Sequence, residues 1–397
     1  MAGKLPMGQK ELLRSRVLGM VMEGHVTLRE ASVKLRVSYR QAKRLLARYR
    51  VQGEAGLVHR LTGRASNHQL GAGIRERVLE AYRECYSGFG PTFACEKLRE
   101  RERIEVSVET LRQMLMEEGL WRGKKRSRKY HGRRARRERF GELVQFDGSH
   151  HEWFEDRGPR CCLMNMVDDA TGTTLFFLNP QETTEAAMEL LWEWIKKYGI
   201  PQAVYCDRKN AFVIDREPTI EEQLRTVEPQ SHFERACERL GIEVIVAYSP
   251  EAKGRVERNH GIYQDRFVKE LRLAGISTLD AANEFLRSTY LPAINARFAR
   301  PPAFPEDGHV PFQDTIDLRD IFCRQETRVV SRDHIISFER KLYRIPPALL
   351  PRPRHGDRVT VRVWLDRSVH MYWKNKPLLV EEYRPHAKET ASKPLSA

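Results

Sequence analysis

The sequence predicts a multidomain chain: two all-helical N-terminal units, a central α/β domain on a mixed five-stranded sheet, and a small C-terminal β-barrel. Three observations carry this prediction. Apolar residues recur at helical spacing through residue 121, strand-like runs alternate with helices from residue 141, and short alternating runs return after residue 326. A length of 397 residues exceeds one ordinary domain. Hydrophobic residues at 41% suffice for folded cores, which excludes a disordered polybasic chain.

Lys and Arg number 69 against 54 Asp and Glu, a formal charge of +15, so a polyanionic partner is expected, nucleic acid first. No 18 apolar residues run together, which excludes a transmembrane helix, and Met1-Ala-Gly-Lys-Leu-Pro carries no apolar core of a secretory signal. Seven scattered cysteines without a CxxC pair exclude a disulfide framework and a structural zinc of the usual spacing. A reducing cytosol is the expected compartment.

Residues 1–66 form the first unit. Leu12, Leu13, Val17, Leu18 and Val21 make a helical stripe. Thr27 with Glu30 is a capping box opening a short helix, and Ser38 caps a second. The second helix has an apolar face of Ala42, Leu45, Leu46 and Tyr49, opposite Arg40, Lys43, Arg44 and Arg48. Two short helices, a tight turn and a basic second helix make a helix-turn-helix signal whose cations would face DNA. Residues 67–121 form a second such unit, with one helix opening at Gly88-Phe-Gly-Pro-Thr-Phe and another running from Ser107 to a C-cap at Gly119. Between the two, Gly63-Arg-Ala-Ser-Asn-His is a basic turn of a size to enter a minor groove.

Residues 122–140 are a basic linker. Arg122–Arg139 holds eleven Lys or Arg in eighteen residues and one acid, Glu138, a run that repels itself and cannot bury a core. Lys124, Lys125, Arg126, Arg133, Arg134, Arg136 and Arg137 are candidate phosphate contacts, because neutralising phosphates releases counterions.

Residues 141–298 read β-β-β-α-β-α-β-α-α. The strands are Leu143-Val-Gln-Phe-Asp-Gly-Ser, Cys161-Cys-Leu-Met-Asn-Met-Val, Thr173-Thr-Leu-Phe-Phe-Leu, Ala203-Val-Tyr-Cys-Asp and Ile242-Glu-Val-Ile-Val-Ala. A proline-rich spacer (299–325) leads to the small barrel (326–386), with Arg362, Arg367, Lys374 and Lys376 giving it a basic surface, and to a tail (387–397).

Three acids stand out in the α/β domain. Asp147 lies on the first strand, where alternation puts it on one face with Leu143 and Gln145, opposite Val144, Phe146 and Gly148. Asp207 ends the fourth strand, at the edge where open α/β sheets place their sites. Glu257 falls in the helix after Tyr248-Ser-Pro. Sixty residues separate the first pair and fifty the second. Hard carboxylate oxygens on rigid elements suit a pair of Mg²⁺ ions, with Mn²⁺ as a substitute. Lys253 lies one helical turn before Glu257, placed to hold a terminal phosphate or base; Arg258 and Asn259 are placed to track a backbone. Asp168 and Asp169 read as turn formers, and His150 and His151 are weaker ligand candidates.

Val144-Gln-Phe-Asp-Gly-Ser, Val204-Tyr-Cys-Asp-Arg-Lys-Asn-Ala-Phe and Tyr248-Ser-Pro-Glu-Ala-Lys-Gly-Arg-Val-Glu resemble the three blocks of DDE transposases of the retroviral-integrase superfamily. The whole layout is similar to bacterial insertion-sequence transposases of the ISNCY type. The resemblance implies a ribonuclease-H-like core with Asp147, Asp207 and Glu257 as catalytic, metal-binding triad. It also implies double-stranded DNA as partner, a homodimer or higher oligomer on DNA, and a place at the bacterial nucleoid. Asp207-Arg-Lys-Asn departs from the Asp-Asn-Gly of many relatives, residues 213–230 read as an insertion, and the His/Cys zinc module of integrases is absent, so no zinc is inferred. Two rivals stay open on sequence: a helix-turn-helix regulator with a degenerate core, and a ribonuclease-H-like nuclease.

Overall fold

The computed structural model describes residues 7–58, 70–123, 134–207, 212–214, 223, 229–247, 254–312 and 317–384. Two compact units divide the chain at Glu80/Ala81. In the first, α1 (Gln9–Met22), α2 (Leu28–Lys34) and α3 (Tyr39–Gln52) close over Leu18, Leu45, Leu46 and Leu57. The capping box of Thr27 and Glu30 opens α2, and the Ser38 hydroxyl accepts from the Gln41 amide to open α3. The turn between them holds Arg36 at φ 54, which lets the chain reverse in four residues.

Helix α4 spans Ala72–Cys85, α5 Pro91–Arg101 and α6 Val108–Glu117. The α5 helix docks on the sheet domain through a half-buried charge cluster. Glu96 accepts two bonds from Arg266 (2.6 and 2.9 Å) and pairs with Arg297, while Lys97 meets Glu270 at 2.6 Å. The Arg266 guanidinium also lies over the Phe93 ring.

The central sheet contains β1 (Val144–His151), β2 (Cys161–Asp168), β3 (Thr174–Asn179), β4 (Ala203–Cys206) and β5 (Glu243–Val246), ordered β3-β2-β1-β4-β5. The first three strands pair antiparallel and the last two join in parallel, the mixed sheet that the sequence predicts. One face carries α7 (Thr184–Tyr198) and α8 (His232–Arg239), with Phe146 of β1 against Phe212 and Phe233. The other carries α9 (Gly254–Leu273), α10 (Leu279–Phe285) and α11 (Leu291–Phe298), where Phe176 meets Tyr263, Phe267 and Tyr290. Residues 286–290 between α10 and α11 form a π-helical turn. The proline-rich stretch returns to this domain: Ile200 and Val310 exchange backbone hydrogen bonds, and Trp194 donates to His309.

The short helix α12 (Leu318–Ile321) leads to the C-terminal strands β6 (Cys323–Val329), β7 (Ile335–Phe338), β8 (Lys341–Arg344), β9 (Arg358–Trp364), β10 (Val369–Trp373), β11 (Lys376–Leu378) and β12 (Glu381–Tyr383). They form two antiparallel sheets, β11-β10-β9-β6 and β12-β8-β7, around Val330, Ile336, Phe338, Val359, Val361 and Met371. The expected barrel is therefore not closed. Strands of three or four residues at its margins are too short to wrap and hydrogen-bond across the seam. Arg362 also leaves the expected basic surface, since it is ion-paired to Asp320 at 3.0 Å and lies over Tyr372 at 4.0 Å; Arg367, Lys374 and Lys376 remain exposed.

Candidate active site

The three acids come from β1, the end of β4 and the first turn of α9. Parallel pairing sets Val144 beside Val204 and Gln145 beside Tyr205, an offset of sixty. Continued two residues, one past the end of β4, that register would bring Asp147 level with Asp207, neighbouring strands standing about 4.8 Å apart. Both side chains are partly exposed.

Helix α9 lies along β1 with matched contacts. The Val256 amide donates to Gln145 Oε1 (3.3 Å), His260 Nδ1 is 3.9 Å from Asp147 Oδ2, and Gln264 Nε2 donates to Ser149 Oγ (3.1 Å). Steps of four along the helix meet steps of two along the strand, because about 6 Å of rise fits about 6.6 Å. Glu257 follows Val256 directly and is exposed, between the levels of Gln145 and Asp147. The three acids thus belong to one region of the fold. Their oxygens are not drawn within 4.8 Å of one another.

Among the described residues that spacing is met by His150, Cys162 and Glu182. His150 and Cys162 face each other across β1 and β2, and His150 Nε2 is 3.5 Å from Glu182 Oε2. Glu182 lies against the β1 backbone at Gly148, where a Cβ would fall 2.6 Å from its carboxyl carbon. A side chain there would push the Glu182 carboxylate aside. An open cavity of about 490 Å³ adjoins this side, lined by His150, His151, Glu152, Arg160, Cys161, Pro180 and Gln181. His150 is largely exposed while the Glu182 carboxylate and the Cys162 thiol are buried, so the group reads as a surface histidine over a buried acid and cysteine. Sequence reading missed Glu182; its signal was the Gln-Glu-Thr-Thr run before α7.

Asp168 and Asp169, expected as turn formers, have separate roles. Asp168 does shape the turn: Oδ1 accepts from the Thr171 amide and hydroxyl, and Oδ2 from the Gly141 amide. Burial pushes its carboxyl above the usual range, against those hydrogen bonds. Asp169 is more than a turn residue. Fully buried, it receives Arg134, Arg255 and Gln145 on Oδ1 and the Arg137 amide on Oδ2.

Of the candidate DNA contacts, Arg40, Lys43 and Arg44 are exposed on α3 and Arg48 is half-buried. Arg134 and Arg137 are exposed but tied to Asp169, and Arg136 is half-buried, donating to the Asp169 and Ala170 carbonyls (3.3 and 2.9 Å). Burial, with Arg300, Arg255 and Arg258 nearby, pulls the Arg136 pKa down. Arg258 is exposed. Lys124, Lys125, Arg126, Arg133, Lys253 and the turn at Gly63 lie outside the described residues.

Residues 13–65 match the helix-turn-helix domain family, spanning α1 to α3. The transposase-family protein y4bF of Sinorhizobium fredii is 39% identical over 95% of this chain and 81% of its own length. The transposase for insertion sequence IS1202 of Streptococcus pneumoniae is 30% identical over 82% of this chain and 76% of that protein. The crystal structure of the BIV integrase catalytic core domain aligns at a TM-score of 0.29 with 21% identity, over 40% of this chain and 85% of that one. Identity of this depth along nearly the whole chain, a helix-turn-helix head and the mixed five-stranded core lead to one conclusion: the protein belongs to the insertion-sequence transposases.

Proposed function

We propose that the chain binds the terminal inverted repeats of its element, hydrolyses the end phosphodiesters to free 3′-OH groups, and joins those ends to target DNA by transesterification with two metal ions. What supports this reading is the parallel pairing of β1 with β4 at an offset of sixty, which, extended two residues, would bring Asp147 level with Asp207, together with Glu257 in the first turn of α9. These are hard oxygen donors on adjacent rigid elements, the donor set that Mg²⁺ or Mn²⁺ requires. Divalent ions held there would activate the attacking water or hydroxyl and stabilise the leaving 3′ oxygen.

The chain's own part is placement. Asp147, Asp207 and Glu257 hold the ions, and the Val256–Gln145 and Gln264–Ser149 bonds fix α9 against β1. Arg40, Lys43, Arg44 and Arg48 of α3 meet the repeat, while Arg134, Arg136, Arg137 and Arg258, together with Lys124, Lys125, Arg126, Arg133 and Lys253, follow phosphates. One such centre serves one DNA end, so joining two ends requires at least a dimer on DNA.

The test uses purified protein, Mg²⁺ and labelled duplexes of the element ends. Nicking at the terminal 3′ end followed by joining to a plasmid, both abolished by Glu257→Gln, is the expected result. End-specific binding without cleavage in Mg²⁺ or Mn²⁺ would replace this reading with a regulator. Cleavage without joining would leave a nuclease.

A further inference from the structure

We propose that Asp169 is a positioning residue that couples the basic linker to the helix bearing Glu257, an inference that rests on the role proposed for that glutamate. Asp169 follows β2, and no atom of the reaction is expected to touch it. Its side chain nevertheless joins three separate pieces of chain. Arg134 and the Arg137 amide come from the end of the linker. Gln145 stands two residues before Asp147 on β1, donating at 2.7 Å. Arg255 stands two residues before Glu257 at the start of α9.

The connections close on themselves. Gln145 donates its side-chain amide hydrogen to Asp169 and accepts from the Val256 amide at Oε1, while Arg255 also donates to the Arg134 carbonyl at 2.9 Å. One buried carboxylate therefore orders the β1 position next to one proposed ligand, the first turn of the helix holding another, and the arriving linker. A buried acid with this many donors is an organising group, because removing it strands cations in a low-dielectric site.

Charge gives the coupling a direction. Arg134 and Arg255 pair with Asp169, and Arg300, Arg255 and Arg258 lie near Arg136 beside it, so cations outnumber this carboxylate. The Arg134 side chain is 43% exposed, whereas that of Arg255 is 15%. A DNA phosphate arriving at the linker can share Arg134 with Asp169 and leave Arg255 in place. Linker occupancy and the seating of Glu257 then become one event.

The experiment compares full-length wild type with Asp169→Asn and with Arg134→Gln. Amide hydrogen exchange is read at residues 254–260, with the C-terminal sheets (323–383) as internal reference. Rate is read as a function of Mg²⁺ on end duplexes. For Asp169→Asn, exchange at the helix start is expected to rise several-fold over the reference. Half-saturating Mg²⁺ should rise by about tenfold, the size of a lost orienting partner to a metal ligand. Affinity for the duplex in EDTA should stay within about twofold, because only one backbone-facing cation is disturbed. Arg134→Gln, which keeps the acid, should move exchange and half-saturating Mg²⁺ less far, while lowering duplex affinity through its own lost phosphate contact.

Unchanged exchange at 254–260, or a rise equal to that of the reference, would overturn the proposal. If Asp169→Asn does not fold, Arg134→Gln decides alone by the same exchange criterion. A wild type that never cleaves in Mg²⁺ would sink the transposition chemistry yet leave the exchange comparison to support or overturn the coupling.

Discussion

Asp147 on β1 and Asp169, in the turn just after β2, differ in almost everything that decides an acid's use. Asp169 is fully buried and collects four donors from the linker, β1 and α9. The Asp147 side chain, mid-way along β1, is 15% exposed and faces the His260 ring at 3.9 Å. The first arrangement holds a fold together. The second leaves an acid partly open to solvent, and the comparison sets a buried, fully engaged carboxylate against the one proposed as a metal ligand.

The largest expected effect breaks the comparison on the chemical side. Asp147→Asn, Asp207→Asn or Glu257→Gln should each lower Mg²⁺-dependent end cleavage by at least about 10²–10³-fold, the scale for one preorganised electrostatic group at a reacting centre. Each should leave the thermal midpoint in EDTA unchanged or higher, because removing one of several neighbouring acids relieves repulsion. Gel assays and melts on the same preparations check both halves.

On the structural side, Asp169→Ala should lower stability by about 3 kcal/mol, the low end for stranding a buried charge, since the exposure of Arg134 screens part of the loss. Urea unfolding measures it. Gly148→Ala lies between the two acids in kind: its Cβ would meet the Glu182 carboxyl, and a loss of about 1–3 kcal/mol follows from forced displacement.

How much of this could be read in the sequence depends on the reach of each interaction. Thr27–Glu30 and Ser38–Gln41 are caps three residues apart, and both were legible. Alternation along β1 put Asp147 opposite Phe146 before any coordinates, and the structure keeps them on opposite faces. Asp169 was legible only as part of a turn, because its side-chain partners lie 24, 35 and 86 residues away. The docking of α5 was hidden for the same reason, since Glu96 and Arg266 are 170 residues apart. Barrel closure depends on strand tilt and length together, and alternation reports neither.

Two smaller effects sharpen the account. Arg44→Ala on exposed α3 should weaken duplex binding and reduce the slope of log affinity against log salt by about one if it meets one phosphate. Binding measured from low to moderate salt gives that slope. Glu193 supplies the pH test, since burial holds its carboxyl above the ordinary range despite Arg287 and Lys197 nearby. A raised folded pKa means that ionisation opposes folding, so stability falls as pH climbs from the unfolded value through the folded one. Glu193→Gln should therefore raise the melting temperature slightly at neutral pH, with the gain vanishing toward about pH 4. Melts at both pH values check this, and a lower melting temperature at pH 7 would mean that the Arg287 pair, at 3.9 Å, outweighs burial.

The central claim is that Asp147, Asp207 and Glu257 form one metal-binding centre. Electron paramagnetic resonance of Mn²⁺ added to the full-length protein tests it without any DNA. Wild type should hold Mn²⁺, and Asp147→Asn and Asp207→Asn should each release it while circular dichroism shows an intact fold. Mn²⁺ retained equally by both substituted proteins would contradict the account.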